Sequence, residues 1–187
     1  MENENNIKQI IINTQSHIKK IDYKKKQTPR VETVTWELTD PQLESIFQYE
    51  LIKKFEHIEN NVQLTNQLDL PIYKLIKNHI KNKISSYKQQ DINKKRFNNL
   101  EFINYNDVVS LIIDCKLNCH YCACEVYLLY TFVREGKQWS LDRINNDKGH
   151  NKGNLVIACL ECNLKRRRTN KEAFMFTKNF KIIRKDL

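Results

Sequence analysis

Six cysteines occur in 187 residues, and four of them form two C-x-x-C pairs, Cys119/Cys122 and Cys159/Cys162. A C-x-x-C turn lets two thiolates reach one ion. Two such pairs complete the tetrahedral four-sulfur set that Zn²⁺ prefers, with no position left open for chemistry, so the zinc expected here is structural. The 36 residues between Cys122 and Cys159 are too many for a simple zinc ribbon. A β-hairpin inserted between the pairs accounts for the length. The metal would then tie the entry of the hairpin to the start of the helix that follows it, a staple for a small core. Cys115 and Cys124 read as packed thiols, with Cys124 or His120 as a substitute for a member of the first pair.

Oxygen donors lie in the same stretch. Asp142-Arg143 follows Trp139-Ser140-Leu141, Asn154 opens Asn154-Leu155-Val156-Ile157-Ala158, and Asn163 stands directly after Cys162. Each alone has a bland reading: Asp142 salt-bridged to a neighbouring lysine, Asn154 and Asn163 in turns and caps, His150 as an exposed loop histidine. Their joint placement around the cysteines carries the case. Asp142-Arg143 at a strand end, Asn154 at the start of the next strand and Cys159-x-x-Cys162-Asn163 leading into a helix resemble the HNH endonuclease motif in its ββα-metal form. The resemblance covers residues 119–168. Its look-alikes, with Asp-Arg-Ile, a loop ending Gly-His or Gly-Tyr, and Asn-Leu-Val, recur in proteins of large DNA viruses and phages.

The resemblance implies a metal-dependent endonuclease that hydrolyses phosphodiester bonds in DNA. Asp142 and Asn163 would ligate one hard cation, Mg²⁺ or Mn²⁺, through oxygen. That ion would polarise the scissile phosphate and stabilise the leaving 3′ oxygen. Asn154 would brace the loop between the strands and orient the base. One position departs from the family. Arg143 stands where the water-activating histidine is usual, and an arginine stays protonated, so it is no general base. It can hold a phosphate oxygen in a two-pronged contact instead. Three readings stay open: His150 serves as the base, a metal-bound hydroxide forms without a protein base, or the site is catalytically inactive and the protein is a zinc-stapled nucleic-acid binder. A zinc-ribbon adaptor between proteins is a further class.

Composition narrows the partners. A net charge of +10 and a pI of about 9.3 favour a polyanionic partner, nucleic acid (DNA, with RNA as an option) first and an anionic membrane second. The strongest basic density follows the second cysteine pair, where Lys165-Arg166-Arg167-Arg168 leaves the expected helix. Charges there would contact backbone phosphates, giving affinity without sequence choice. No apolar run approaches the ~20 residues needed to span a bilayer, and Met1–Asn6 does not read as a secretory signal. The expectation is an intracellular, reducing compartment (cytoplasm, or the host nucleus for a viral protein), where paired cysteines hold metal more often than they form disulfides.

The elements that must position these residues read as α+β, a helical N-terminal region followed by a small zinc-stabilised ββα-metal domain. Residues 1–35 read as a flexible segment, with Ile7, Ile10, Ile11, Ile18 and Ile21 at helical spacing and a linker at Lys24–Arg30. Residues 36–105 read as helical, and residues 106–187 as the HNH-like domain with a basic tail. Thr39-Asp40-Pro41 predicts a helix start, with Leu43, Ile46, Phe47, Leu51, Phe55 and Ile58 as its stripe. Asp69-Leu70-Pro71 predicts another, with Ile72, Leu75, Ile76, Ile80, Ile84 and Tyr87 on one face. A third is expected from Asn106 to near Lys116. Strands are expected at Glu125–Arg134, Gln138–Ile144 and Asn154–Ala158. A helix is expected at Leu160–Arg168, and Asn170 caps a last one carrying Phe174, Phe176 and Phe180.

Overall fold

The computed structural model describes residues 9–10, 28–29, 36, 38–56, 69–178 and 181–182. Most of the N-terminal isoleucine set, the Lys24–Arg30 linker apart from its Thr28–Pro29 step, Ile58 and Phe180 lie outside those residues. The order is β1 (Gln9–Ile10), β2 (Thr28–Pro29), α1 (Asp40–Leu43), α2 (Ser45–Glu56), α3 (Asp69–Asn93), α4 (Tyr105–Asp114), β3 (Phe132–Val133), β4 (Trp139–Arg143), β5 (Leu155–Cys159), α5 (Leu160–Arg166), α6 (Lys171–Lys178) and β6 (Lys181–Ile182). The fold is α+β. Among the described residues its longest ladder is the antiparallel pair β4–β5, with Leu141 opposite Ile157 and Asp142 opposite Val156. Among the described residues no helix is long and apolar enough to cross a membrane.

Helix starts follow capping chemistry. Asn104 caps α4 reciprocally: its Oδ1 accepts from Asp107 N at 3.0 Å, and Asp107 Oδ2 accepts from Asn104 N at 3.0 Å. Asn170 Oδ1 accepts from Glu172 N and Ala173 N at the head of α6. The helix expected from Thr39 is two helices, because Glu44 is extended between α1 and α2 (φ −69°, ψ 142°). That break turns the apolar stripe. Leu51, Ile52 and Phe55 are buried, whereas Ile46 is 61 % exposed. On α3 the buried positions are Ile72, Tyr73, Ile76, Ile80 and Asp91. Ile72, Tyr73, Ile76 and Ile80 belong to one apolar cluster with Val108 and Ile112 of α4 and with Trp139, Leu141, Leu155 and Ile157 of the hairpin.

The strand expected over Glu125–Arg134 does not form as one. Only β3 and the isolated bridges at Glu125 and Tyr127 are extended pairings there. A side chain replaces the missing ladder. Gln48 of α2 is fully buried; its Oε1 accepts from Leu128 N at 2.8 Å and Leu129 N at 3.0 Å, and its Nε2 donates to Leu43 O at 3.0 Å and Leu129 O at 3.3 Å. Ser45 Oγ donates to Val126 O at 3.1 Å. Val126, Leu128 and Leu129 can therefore bury their apolar side chains without a neighbouring strand to satisfy the backbone.

A Gln48→Leu substitution keeps the volume and strips these partners, leaving several buried backbone groups unsatisfied. Its expected cost is about 3 kcal/mol or more of folding stability, measured as the shift in urea unfolding. A loss below about 1 kcal/mol would show that the backbone at 128–129 is satisfied in some other way.

Candidate metal centre

The sulfurs of Cys119, Cys122, Cys159 and Cys162 all lie within 4.8 Å of one another, and they can hold a metal such as zinc. Four sulfurs each ~2.3 Å from a tetrahedral ion stand about 3.8 Å apart; the Cys122 and Cys159 sulfurs are 3.9 Å apart. Local structure builds the cluster from two turns. Cys119 N donates to Cys124 O at 2.8 Å and Ala123 N to Cys119 O at 2.9 Å, with Ala123 in the left-handed region (φ 55°). Cys159 ends β5 and caps α5, and its Sγ accepts from Cys162 N at 3.3 Å. His120 N donates to Ile157 O at 2.9 Å, which fastens the first turn to β5. The His120 side chain is exposed, and Cys115 and Cys124 stand outside the four-sulfur group. Crowding splits the thiols. The hydrogen bond from Cys159 pulls the Cys119 thiol down to about 4, while that bond and burial push Cys159 up. A bound cation would relieve this by facing every sulfur with positive charge.

The cluster fixes where α5 starts, and so which face of the hairpin α5 covers. Side chains alternate along a strand. Ser140 and Asp142 therefore share one face of β4, and Trp139, Leu141 and Arg143 share the other. Helix α5 lies on the Ser140/Asp142 face. Asn163 Nδ2 donates to Ser140 Oγ at 3.0 Å and to Leu141 O at 3.3 Å. One turn later, Arg166 Nη1 donates to both Asp142 oxygens, at 2.9 and 2.8 Å, and Tyr121 OH donates to Asp142 Oδ2 at 2.5 Å. Arg166 also reaches Arg143 O and Ile144 O. Asp142 is 4 % exposed and Arg166 1 %. Burial, then the bond to Asp142, pushes the Tyr121 phenol up, so it stays protonated and donates.

The basic run thus divides. Lys165, Arg167 and Arg168 are exposed, Lys165 pairing with Glu161 and Arg168 with Asp147. Arg166, expected among the phosphate contacts, is instead the buried counter-ion of Asp142. No periodicity marks that role. The only hint in the sequence is that Arg166 follows Asn163 by three residues, so the two share a helix face.

Arg143 and His150 meet helix α3 instead. Asp91 of α3 is fully buried. Its Oδ2 accepts from His150 N at 2.6 Å, and its Oδ1 lies 2.9 Å from His150 Nδ1 and 4.0 Å from Arg143 Nη1. Arg143 also donates to Lys148 O at 3.3 Å. The His150 ring stacks on Tyr87, centroids 4.4 Å apart, and is 3 % exposed rather than lying open on a loop. A Cβ at Gly149 would stand 2.6 Å from Arg96 O and 2.8 Å from Asp91 Oδ2, so only glycine lets the loop come this close. Asn154 holds the same loop: its Oδ1 accepts from Asn145 N at 2.9 Å, and its Nδ2 donates to Asn145 O at 3.1 Å and Gly149 O at 3.0 Å. Burial lowers the affinity of His150 for a proton by more than Asp91 restores. Burial and the neighbouring Arg96 likewise push the Arg143 guanidinium down.

Two outcomes follow. Protein prepared under reducing conditions carries one tightly held zinc per chain, and Cys119→Ser or Cys159→Ser loses it together with thermal stability; elemental analysis and circular dichroism read both, and a metal-free wild type as stable as the loaded one would refute the staple. The second concerns acid. Below about 6.5 the unfolded chain protonates His150 while the folded chain, with its lowered value, does not. Stability therefore falls as pH drops through that window. His150→Gln flattens this part of the profile, read as the difference between wild type and variant in urea midpoints at several pH values.

Comparison with family models, with curated proteins and with solved structures finds no match. What stands on the geometry is an α+β fold with a two-strand hairpin and a four-cysteine cluster able to hold a metal such as zinc.

Proposed function

We propose that the protein is a metal-dependent endonuclease of the HNH type that hydrolyses phosphodiester bonds in DNA. The observation that supports it best is the meeting of β4, β5 and α5 beside the four cysteines. Helix α5 begins at the cluster and lays Asn163 on the hairpin face that carries Asp142. A four-thiolate zinc is the staple in this reading, and the acid–amide pair is the chemical site. Asp142 and Asn163 would hold a hard divalent cation, Mg²⁺ or Mn²⁺. They fit such an ion in kind, one carboxylate and one carboxamide. With Nδ2 of Asn163 committed to Ser140 and Leu141, Oδ1 is the end turned away from the strand. Asp142 must give up part of its bond to Arg166, because both carboxylate oxygens accept from that guanidinium. Once bound, the cation supplies charge stabilisation at the scissile phosphate and the leaving oxygen. Exposed Lys165, Arg167 and Arg168 at the end of α5 suit the DNA backbone.

A second reading draws on the same ion pair. A carboxylate already saturated by a buried arginine and a tyrosine is a poor ligand for a hard cation, which favours a zinc-stapled nucleic-acid binder that does not cut. Nicking of supercoiled plasmid in Mg²⁺ or Mn²⁺ separates the two. The nuclease reading expects cleavage by wild type and a loss of 100-fold or more in Asp142→Asn and Asn163→Ala, with zinc content unchanged. DNA binding without nicking in any divalent metal would establish the second reading. Cleavage that persists in both variants would place the chemistry elsewhere.

A further inference from the structure

Arg143 cannot take a proton, so a nuclease at this site needs another acceptor or none. Resting on the nuclease reading above, we infer that Asp91 is a positioning residue that orients His150 as the general base. Three elements build this pair. Asp91 comes from α3, His150 from the loop before β5, and Gly149 is the contact without which the loop could not approach. A carboxylate 2.9 Å from Nδ1 makes that nitrogen the proton-bearing one, which leaves the lone pair on Nε2.

The rest of the ring is held. Tyr87 stacks on one face, and the backbone N of His150 is bound to the same carboxylate. Nε2 takes no bond from the described residues. Among the described residues the buried side-chain atoms without partners are Trp139 Nε1, Asn151 Oδ1 and Arg166 Nε, and His150 Nε2 is not one of them. A histidine serving only as a strut would be expected to engage both nitrogens. Arg143 links the pair to the candidate site: its guanidinium lies 4.0 Å from Asp91 and also feels the charge of Asp142, the residue before it. The charged and titratable groups around it are Asp91, Tyr87 and Lys94 from α3 and its C-terminal end, Arg143 from β4, and Arg96 beyond. Burial keeps the ring neutral near pH 7, the state a base must start in. In the step assigned to it, Nε2 accepts a proton from water as the water oxygen forms a bond to phosphorus. The bond from phosphorus to the 3′ oxygen breaks, and solvent protonates the leaving oxygen.

The test uses full-length, zinc-loaded protein and a supercoiled plasmid in Mn²⁺, with binding to the same DNA in EDTA as the control. His150→Gln is expected to lower the nicking rate 100-fold or more while DNA affinity stays within about threefold and zinc content is unchanged. Asp91→Asn is expected to lower the rate about tenfold and to move the acid limb of the pH–rate profile to lower pH, since the carboxylate that favours the charged ring is gone. Nitrogen NMR of the imidazole should show the Nδ1–H tautomer in wild type and its loss in Asp91→Asn, a readout independent of turnover. A His150→Gln protein that nicks at the wild-type rate overturns the assignment and leaves the nuclease standing. An Asp91→Asn protein with an unmoved profile and tautomer overturns the positioning role. Wild type that binds DNA but never nicks it removes the nuclease reading, and this assignment with it.

Discussion

Four sulfurs converging at one end of a two-strand hairpin are the constraint from which the other placements follow. Cys159 is at once the last residue of β5, the cap of α5 and a member of the cluster. The strand therefore passes into the helix with no connecting loop to vary their angle. That junction decides which side of β4 the helix covers and brings Asn163 and Arg166 to Ser140 and Asp142. The first cysteine turn, fastened to β5 through His120 N, closes the arrangement from the other side.

Buried charge is organised on both faces of the hairpin. On one, Asp142 is shared between Arg166 and Tyr121; on the other, Asp91 is shared between His150 and Arg143. A carboxylate buried without partners is prohibitively costly, so each acid in the interior recruits donors from a different element. These pairs specify geometry more than they add stability. Asp91 draws the 145–150 loop down onto α3, and Asn154 fixes that loop from the other side. The same economy operates between α2 and the 126–129 segment, where one glutamine serves three backbone groups of the segment.

Much of this was legible in the residues. The paired cysteines announced a four-sulfur cluster through their spacing alone, since C-x-x-C turns act locally. The hairpin strands, the helix from Asp69 and the helix expected from Asn106, which starts at Tyr105, followed from periodicity and helix-start residues, which also act within a few residues. The expected strand at Glu125–Arg134 failed for an instructive reason. Its β-branched and aromatic composition reports burial, and burial here is achieved by Gln48, 80 residues away, rather than by a pairing strand.

Sequence by itself thus determined the elements that depend on neighbours: the cysteine turns, the caps, the apolar stripes and the overall positive charge. Tertiary structure alone decided the polar partnerships. Arg166 reads like one more charge in a basic run, Asp91 like a polar residue near a helix end, and His150 like a loop histidine. Their meaning comes from contacts 24 and 59 residues distant. A single buried hydrogen bond or ion pair has no period and no fixed spacing, so it leaves no pattern in the chain until folding brings its two halves together.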